Sequence, residues 1–243
     1  MQIAIRLVLL ASVLASVVAV LVAASAEPLP STQEFSADIV SRDTSGATIG
    51  TYGRLYSAHG KVRIETSDAV VGFFLTDGAT TTALFVRPQQ RVFMDARQST
   101  RLTRIFLPVE STGPCAQWQA AAKNAGVPSA AGDWQCERTQ RASAESANIV
   151  SAGAESTGVD GRDTIEYTVT PPAGETTHGW IATDLGFPVK WRGADGTTLT
   201  LEHIRVEAQP PALFTIPADY RKSDPQALID RIKHSDVWAA PPQ

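Results

Sequence analysis

The chain has 243 residues, which is enough for one large all-β domain or two small ones. Turn signals recur along its whole length and no linker-like break separates two cores, so we expect one domain. The formal net charge of −4 at pH 7 argues against a nucleic-acid partner, because such binding needs a clustered positive surface.

The first 26 residues have the pattern of a signal peptide. A short, weakly basic start containing Arg6 leads into an apolar run over residues 7–22, and Ala24-Ser25-Ala26 is a small-residue cleavage site. Cleavage would leave a single domain over residues 27–243, periplasmic or secreted. The alternative is an N-terminally membrane-anchored protein, because the apolar run approaches the length that spans a bilayer.

A meander of short strands follows the predicted leader. Alternating patterns, or β-branched and aromatic runs, predict strands over residues 35–40, 49–57, 61–65, 70–75, 80–86 and 92–94. Sequential strands of this kind usually pair with one another. The strict alternation over residues 61–65 indicates one wet face. A loose group of basic residues is interpreted as a solvated strand face: Arg87, Arg91, Arg97, Arg101 and Arg104.

The two cysteines, Cys115 and Cys136, both follow the predicted leader. An even number of cysteines in an exported chain predicts a disulfide. Closing a loop of about twenty residues would contribute roughly 3 kcal/mol to stability in the chain-entropy model. The alternatives are a metal pair or a redox pair, but further ligands at close spacing and a C-x-x-C motif are both absent from the sequence.

One segment between the strands has the punctuation of a helix. Pro114 precedes an Ala- and Gln-rich body over residues 115–126, which contains an Asn and a Gly near its end. Trp118 and three alanines fall on one stripe at helical spacing. The predicted disulfide would join the start of this helix to a predicted strand containing Trp134 and Cys136, and would therefore pin the helix across the sheet.

The second half of the chain returns to strand patterns. Residues 143–161 are predicted as weak strand and loop, and residues 164–169 as a strand. Residues 179–191 are predicted to form a β-hairpin with one apolar and one polar face. The pattern is an alternation of Trp180 and Ala182 with Ile181 and Thr183, and of Val189 and Trp191 with Lys190 and Arg192.

The chain after this hairpin is predicted to contain a further strand, a short docked piece and a helix. The strand over residues 197–206 should contain a bulge, because its apolar phase shifts between Leu201 and Ile204. Residues 214–217 should form a short docked piece, and a second helix is predicted from Asp224 onward. The chain is therefore expected to be mainly β, with a large curved antiparallel sheet, an open half-barrel, and a few covering helices.

Several stretches resemble the LolA/LolB-like superfamily of bacterial envelope proteins. Residues 179–191 resemble its W-I-x-x-x-x-G-x-P-V-K segment, and residues 213–220 resemble its L-F-x-I-P-x-x-Y ending. Residues 61–65, followed by 91–94, resemble a branch of unknown function in that superfamily. The resemblance implies an open half-barrel of antiparallel strands, closed by helices, of a kind that carries lipid or acyl chains in the periplasm.

Motifs for catalysis, metals and cofactors are not found in the sequence. The histidines have no metal-binding spacing, and the sequence contains no G-x-S-x-G elbow, no P-loop and no dinucleotide fingerprint. The pair Asp160 and Asp163 is interpreted as a turn with caps rather than as an acid/base pair. We therefore predict no catalytic residue, no metal and no cofactor.

Aromatic residues are the remaining candidates for a site. Seven of them are predicted to line an apolar groove, with ordinary core packing as the alternative: Phe73, Phe74, Phe85, Phe93, Trp118, Trp180 and Trp191. The predicted function is that of a periplasmic, non-enzymatic protein that binds a lipid, an acyl chain or a lipidated protein. The alternatives are an envelope protein-interaction or stress-sensing module without a small-molecule ligand, and an envelope enzyme with an unrecognised polar cluster.

Overall fold

The computed structural model describes residues 33–66, 72–78, 82–97, 100–109, 113–127, 132–142, 159–172 and 174–224. Three sequence predictions lie outside these ranges. They are the signal peptide over residues 1–26, the helix beyond Asp224 and most of the weak strand and loop over residues 143–161.

A single sheet of twelve strands dominates the described part of the chain. The strands are β1 (Phe35–Arg42), β2 (Thr48–Ala58), β3 (Lys61–Thr66), β4 (Phe73–Asp77), β5 (Thr82–Arg87), β6 (Val92–Asp95), β7 (Gln135–Ala142), β8 (Thr164–Thr170), β9 (Thr177–Ala182), β10 (Phe187–Arg192), β11 (Thr198–Val206) and β12 (Arg221–Lys222). Their order is β12-β6-β5-β4-β3-β2-β1-β11-β10-β9-β8-β7, so the sheet is not closed. The prediction of a mainly β protein built on a large open sheet is confirmed.

The sheet consists of two meanders joined at one seam. All neighbours from β1 to β6 and from β7 to β11 are sequential and antiparallel, whereas β1 pairs with β11 across the seam. The pairing shifts between Ser36 and Asp38, opposite His203, whose φ of 53° marks an extra residue in β11. The predicted bulge is confirmed, and it returns the half-buried Ile204 to contact with the core.

In the ranges that the structure describes, two helices cover one side of the sheet, which we call the inner face. Helix α1 spans Arg101–Ile105 and helix α2 spans Cys115–Asn124, which confirms the predicted helix. Side chains from both helices join the inner face in the main core, whose largest fully buried members include Phe35, Ile39, Leu55, Ile64, Phe106, Leu185, Phe187, Val189 and Leu201.

Helix α1 is absent from the sequence predictions, and it corrects the interpretation of the arginine group. Thr100 caps its first turn by accepting a hydrogen bond from the Thr103 amide at 3.3 Å. Arg101 and Arg104 therefore lie on a helix and not on a strand face. Arg104 is half-buried, and its burial, followed by the charge of Arg101, lowers its pKa.

A second, smaller core lies on the opposite side of the sheet, the outer face. The chain after β11 crosses this face, forms a 3-10 helix at Pro211–Phe214 and then pairs as β12 with β6. Phe214 is 6% exposed, which confirms the predicted docked piece. Arg63 lies 3.5 Å above the Phe73 ring and donates to the Leu213 carbonyl at 3.1 Å. The polar side of β3 is therefore covered here and is not the wet face that alternation predicted.

The hairpin of β9 and β10 also departs from its predicted polarity. Trp180, Ile181 and Ala182 are consecutive and all buried, so both faces of β9 are covered. Trp180 lies on the outer face, where the Lys190 ammonium is 4.6 Å and the Arg192 guanidinium 5.5 Å from its ring. Long basic side chains can cover an apolar ring while keeping their charges in water. Lys190 and Arg192, which the sequence pattern assigns to a polar face, thus shield the buried ring of Trp180.

Candidate functional site

The predicted disulfide is present and fixes the start of helix α2. Cys115, the first residue of the helix, is bonded to Cys136 of β7, with 6.0 Å between the two Cα atoms. Strand β7 is one end of the sheet in the described part of the chain. The prediction that the disulfide pins the helix to the sheet is therefore confirmed.

Trp118 anchors the same helix on the inner face one turn later. The residue is 3% exposed, and its indole meets the Trp191 ring edge-to-face, with 4.9 Å between the ring centroids. The indole N–H donates to the Ile105 carbonyl at the end of α1, at 3.1 Å. The Trp118 side chain thus connects both helices to β10. Its buried indole N–H has a hydrogen-bond acceptor, as buried tryptophans usually do.

The Trp118 indole lies over Gly179 of β9, where a side chain would not fit. A Cβ atom on Gly179 would be 2.5 Å from Cη2 of Trp118. Gly179→Ala is therefore expected to destabilise the protein by about 1–3 kcal/mol, the usual cost of overpacking. Chemical unfolding monitored by far-UV circular dichroism measures this difference.

Gly50→Ala is the matched control, because a Cβ at this strand position meets nothing within 4 Å. We expect it to be neutral or to stabilise by up to about 1 kcal/mol. In a Trp118→Ala background the cost of Gly179→Ala should disappear, since the indole is gone. An unchanged cost in that background would show that the clash is not with Trp118.

The seven predicted groove residues divide between the two faces of the sheet. The strand registers place Phe74, Phe85, Trp118 and Trp191 on the inner side, and Phe73, Phe93 and Trp180 on the outer side. Phe73 and Phe93 belong to the second core beneath the Pro211–Phe214 segment. The structure thus brings four of the seven residues to one face and does not place all of them in one groove.

Phe74 and Phe85 form a half-buried aromatic pair on the inner face. Their ring centroids are 4.9 Å apart, and the two residues are directly opposite each other on β4 and β5. Phe74 pairs with Ile64 of β3, and Phe85 pairs with Met94 of β6. Ile64 and Met94 are both buried. Phe74 packs against the main core, so the pair continues the apolar inner face beyond the buried residues.

A polar cavity of about 520 Å³ lies on the outer face and was not predicted. We call it the outer cleft, and its lining residues include Arg42, Asp160, Lys190, Arg192, Thr198, Thr200, Glu202 and His203. These residues come from β1, β10, β11, the bulge and the turn before β8. Only the pairing of β10 with β11 brings the basic and hydroxyl residues together, so the order of the sequence alone does not reveal the cleft.

Asp43 and Asp195 lie in the two hairpin turns beside the cleft, which join β1 to β2 and β10 to β11. Asp43 accepts hydrogen bonds from the Ser45 hydroxyl at 2.6 Å and the Ala47 amide at 3.0 Å, and the bond from Ser45 is the main reason why its pKa is lowered. Asp195 accepts from the Thr197 hydroxyl at 2.7 Å, which lowers its pKa in the same way. Both carboxylates thus hold their own turns.

No helix in the described ranges is long and apolar enough to cross a membrane. Across the same residues, no group of three or more His, Cys, Asp or Glu side chains is arranged to hold a metal ion. Asp160 lies in a turn, where its carboxylate accepts from the Ile204 amide at 2.9 Å.

Neither a family model nor a curated protein sequence matches this chain. Among solved structures, it is similar to PNGF-II, with 8% identity, a TM-score of 0.46, and coverage of 83% of this chain and 33% of that one. The chain thus spans about a third of the length of PNGF-II.

Two further solved structures are similar to this chain. One is a LolA superfamily protein from Nitrosomonas europaea, with 11% identity, a TM-score of 0.32, and coverage of 76% of this chain and 90% of that one. The other is the Pseudomonas aeruginosa MucA/MucB complex, with 13% identity, a TM-score of 0.30, and coverage of 77% and 57%. A LolA superfamily protein is therefore among the structures to which this chain is similar.

Proposed function

We propose that this protein is an exported, non-enzymatic binding protein of the bacterial envelope. It holds a lipid, an acyl chain or a lipidated protein against the inner face of its sheet. The observation that supports this function is the Phe74–Phe85 pair, two half-buried rings that continue the apolar inner face past the main core. Covering such surface gains about 25 cal/mol per Å² of apolar area removed from water.

Export is supported by the disulfide between Cys115 and Cys136. Disulfides persist in oxidising compartments such as the periplasm and are rare in the cytosol. Removal of the predicted signal peptide would release the domain over residues 27–243. An uncleaved N-terminal anchor would instead hold the same domain at the membrane surface.

Phe85→Ala tests the inner face directly. We expect this substitution to weaken the binding of fluorescently labelled palmitate about tenfold, because the acyl chain of palmitate loses contact with one of the two phenylalanine rings. Fluorescence anisotropy titration of the purified protein measures this change. Phe93→Ala is the matched control, since Phe93 is also half-buried and lies on the neighbouring strand but faces the outer core. Its palmitate affinity should match that of the wild type.

The ligand that the protein carries from the cell can be sought by native mass spectrometry and organic extraction. A reproducible extra mass that extracts as lipid supports the carrier function and gives the class of ligand. A clean apo mass, together with no uptake of palmitate or of a lipopeptide, would instead favour the protein-interaction module. An equal loss of affinity in both phenylalanine variants would also contradict a site at Phe85.

A further inference from the structure

Arg87 lies on the inner face of β5, beside the Phe74–Phe85 pair. Phe85 pairs with Phe74 and Met94 on the inner side, and Arg87 follows Phe85 by two positions on the same strand. Residues two positions apart on a strand point to the same face and lie about 7 Å from each other. The half-buried Arg87 therefore borders the apolar surface on which the proposed function places the ligand.

The described positions that flank Arg87 on the inner face carry no charge. Val92 of β6 is directly opposite Arg87, and directly paired residues share one face of the sheet. On the side of β4, Gly72 has no side chain, and a Cβ atom there would lie 3.1 Å from Cζ of Phe85. The guanidinium of Arg87 thus adjoins an aromatic ring, a valine and a glycine.

The Nε atom of Arg87 is buried and has no hydrogen-bond partner in the part of the chain that the structure describes. Two other arginines there also have a buried Nε without a partner, but each uses another atom of its guanidinium. Arg54 donates to the Ser36 hydroxyl at 3.4 Å. Arg162 forms an ion pair with Asp184. Among the described residues, no carboxylate, hydroxyl or aromatic ring engages the guanidinium of Arg87.

We propose that Arg87 binds the acidic head group of a ligand whose hydrocarbon chain covers Phe74 and Phe85. A charge that is partly buried without a partner costs free energy, and an anion beside the guanidinium would remove this cost. The planar guanidinium offers donors whose spacing matches a carboxylate or a phosphate. The inference rests on the proposed function, and it narrows the ligand to an amphiphile with an acidic head group, such as a fatty acid.

The test is isothermal titration calorimetry of the purified protein with laurate, dodecyl phosphate and 1-dodecanol, which have the same chain length. We expect the wild type to bind at least one of the two acids about tenfold more tightly than the alcohol. Arg87→Gln should abolish this preference and leave the affinity for 1-dodecanol unchanged. Arg87→Lys keeps the charge but not the planar fork, so it should retain part of the preference. The acid that binds more tightly identifies the head group as carboxylate or phosphate.

Arg54→Gln is the matched control, because Arg54 also has a buried Nε without a partner but lies on the outer face, opposite Glu65. It should bind all three probes like the wild type. Equal affinities for acids and alcohol in the wild type, a preference that persists in Arg87→Gln, or an equal loss for all three probes in that variant would overturn the inference. If Phe85→Ala still weakens all three probes, the proposed function stands without it. If the wild type binds no probe, both fail.

Discussion

Replacing Trp118 by alanine is expected to lower the free energy of unfolding by about 3–5 kcal/mol, the usual cost of truncating a buried tryptophan. The indole is buried, touches Trp191 and donates its N–H to the Ile105 carbonyl. Its removal leaves a cavity between the two helices and the sheet and an acceptor without its donor. Urea unfolding of the wild type and the variant measures the loss.

Trp118→Phe is the control for the Trp118 substitution. It keeps an aromatic ring over Gly179 and loses the N–H donor, so we expect a loss well below that of the alanine variant. Equal losses would show that the hydrogen bond, rather than the packing, holds the helices. A loss under about 1 kcal/mol in the alanine variant would contradict the anchoring role itself.

Removing the disulfide is expected to cost about 3 kcal/mol, because the bond closes a loop between residues 21 positions apart. The double variant Cys115→Ala/Cys136→Ala tests this cost by urea unfolding. A reductant should shift the unfolding midpoint of the wild type towards that of the double variant. The double variant, which has no thiols, serves as the control and should not respond.

The oxidation state of the two cysteines can be measured independently. Thiol labelling of the non-reduced protein under denaturing conditions should modify neither Cys115 nor Cys136. Labelling of both would show that the bond is absent and that α2 is held to the sheet by Trp118 and its neighbours alone. The stability difference would then have to arise from packing at the two positions.

The elements that the sequence predicts well are those with strong local signals. Helix α2 has Pro114 before it and an apolar stripe through Trp118, and the structure gives it nearly the predicted bounds. The bulge in β11 was visible as a phase shift from Leu201 to Ile204. Helix α1 has only five residues, too few for a periodic pattern to be recognised.

The assignment of aromatic residues to one groove could not follow from alternation alone. Alternation shows that two faces exist, but the outer face is also apolar here because the Pro211–Phe214 segment covers it. One signal was available in the sequence. Phe73 and Phe74 are consecutive in a predicted strand, and consecutive residues point to opposite faces. The outer cleft depends on the β10–β11 register, which no single segment encodes.

The seam between β1 and β11 determines how the chain reaches its fold. Every other antiparallel pair joins consecutive strands, whereas Arg42 and Glu202 at the seam are 160 positions apart. Contacts between distant segments form only after the entropy of closing a long loop has been lost, which slows folding. Each meander can therefore form early by itself. The edges of β1 and β11 that pair with each other at the seam then stay unpaired until late. Until the seam forms, unpaired strand edges of this kind invite pairing with other chains.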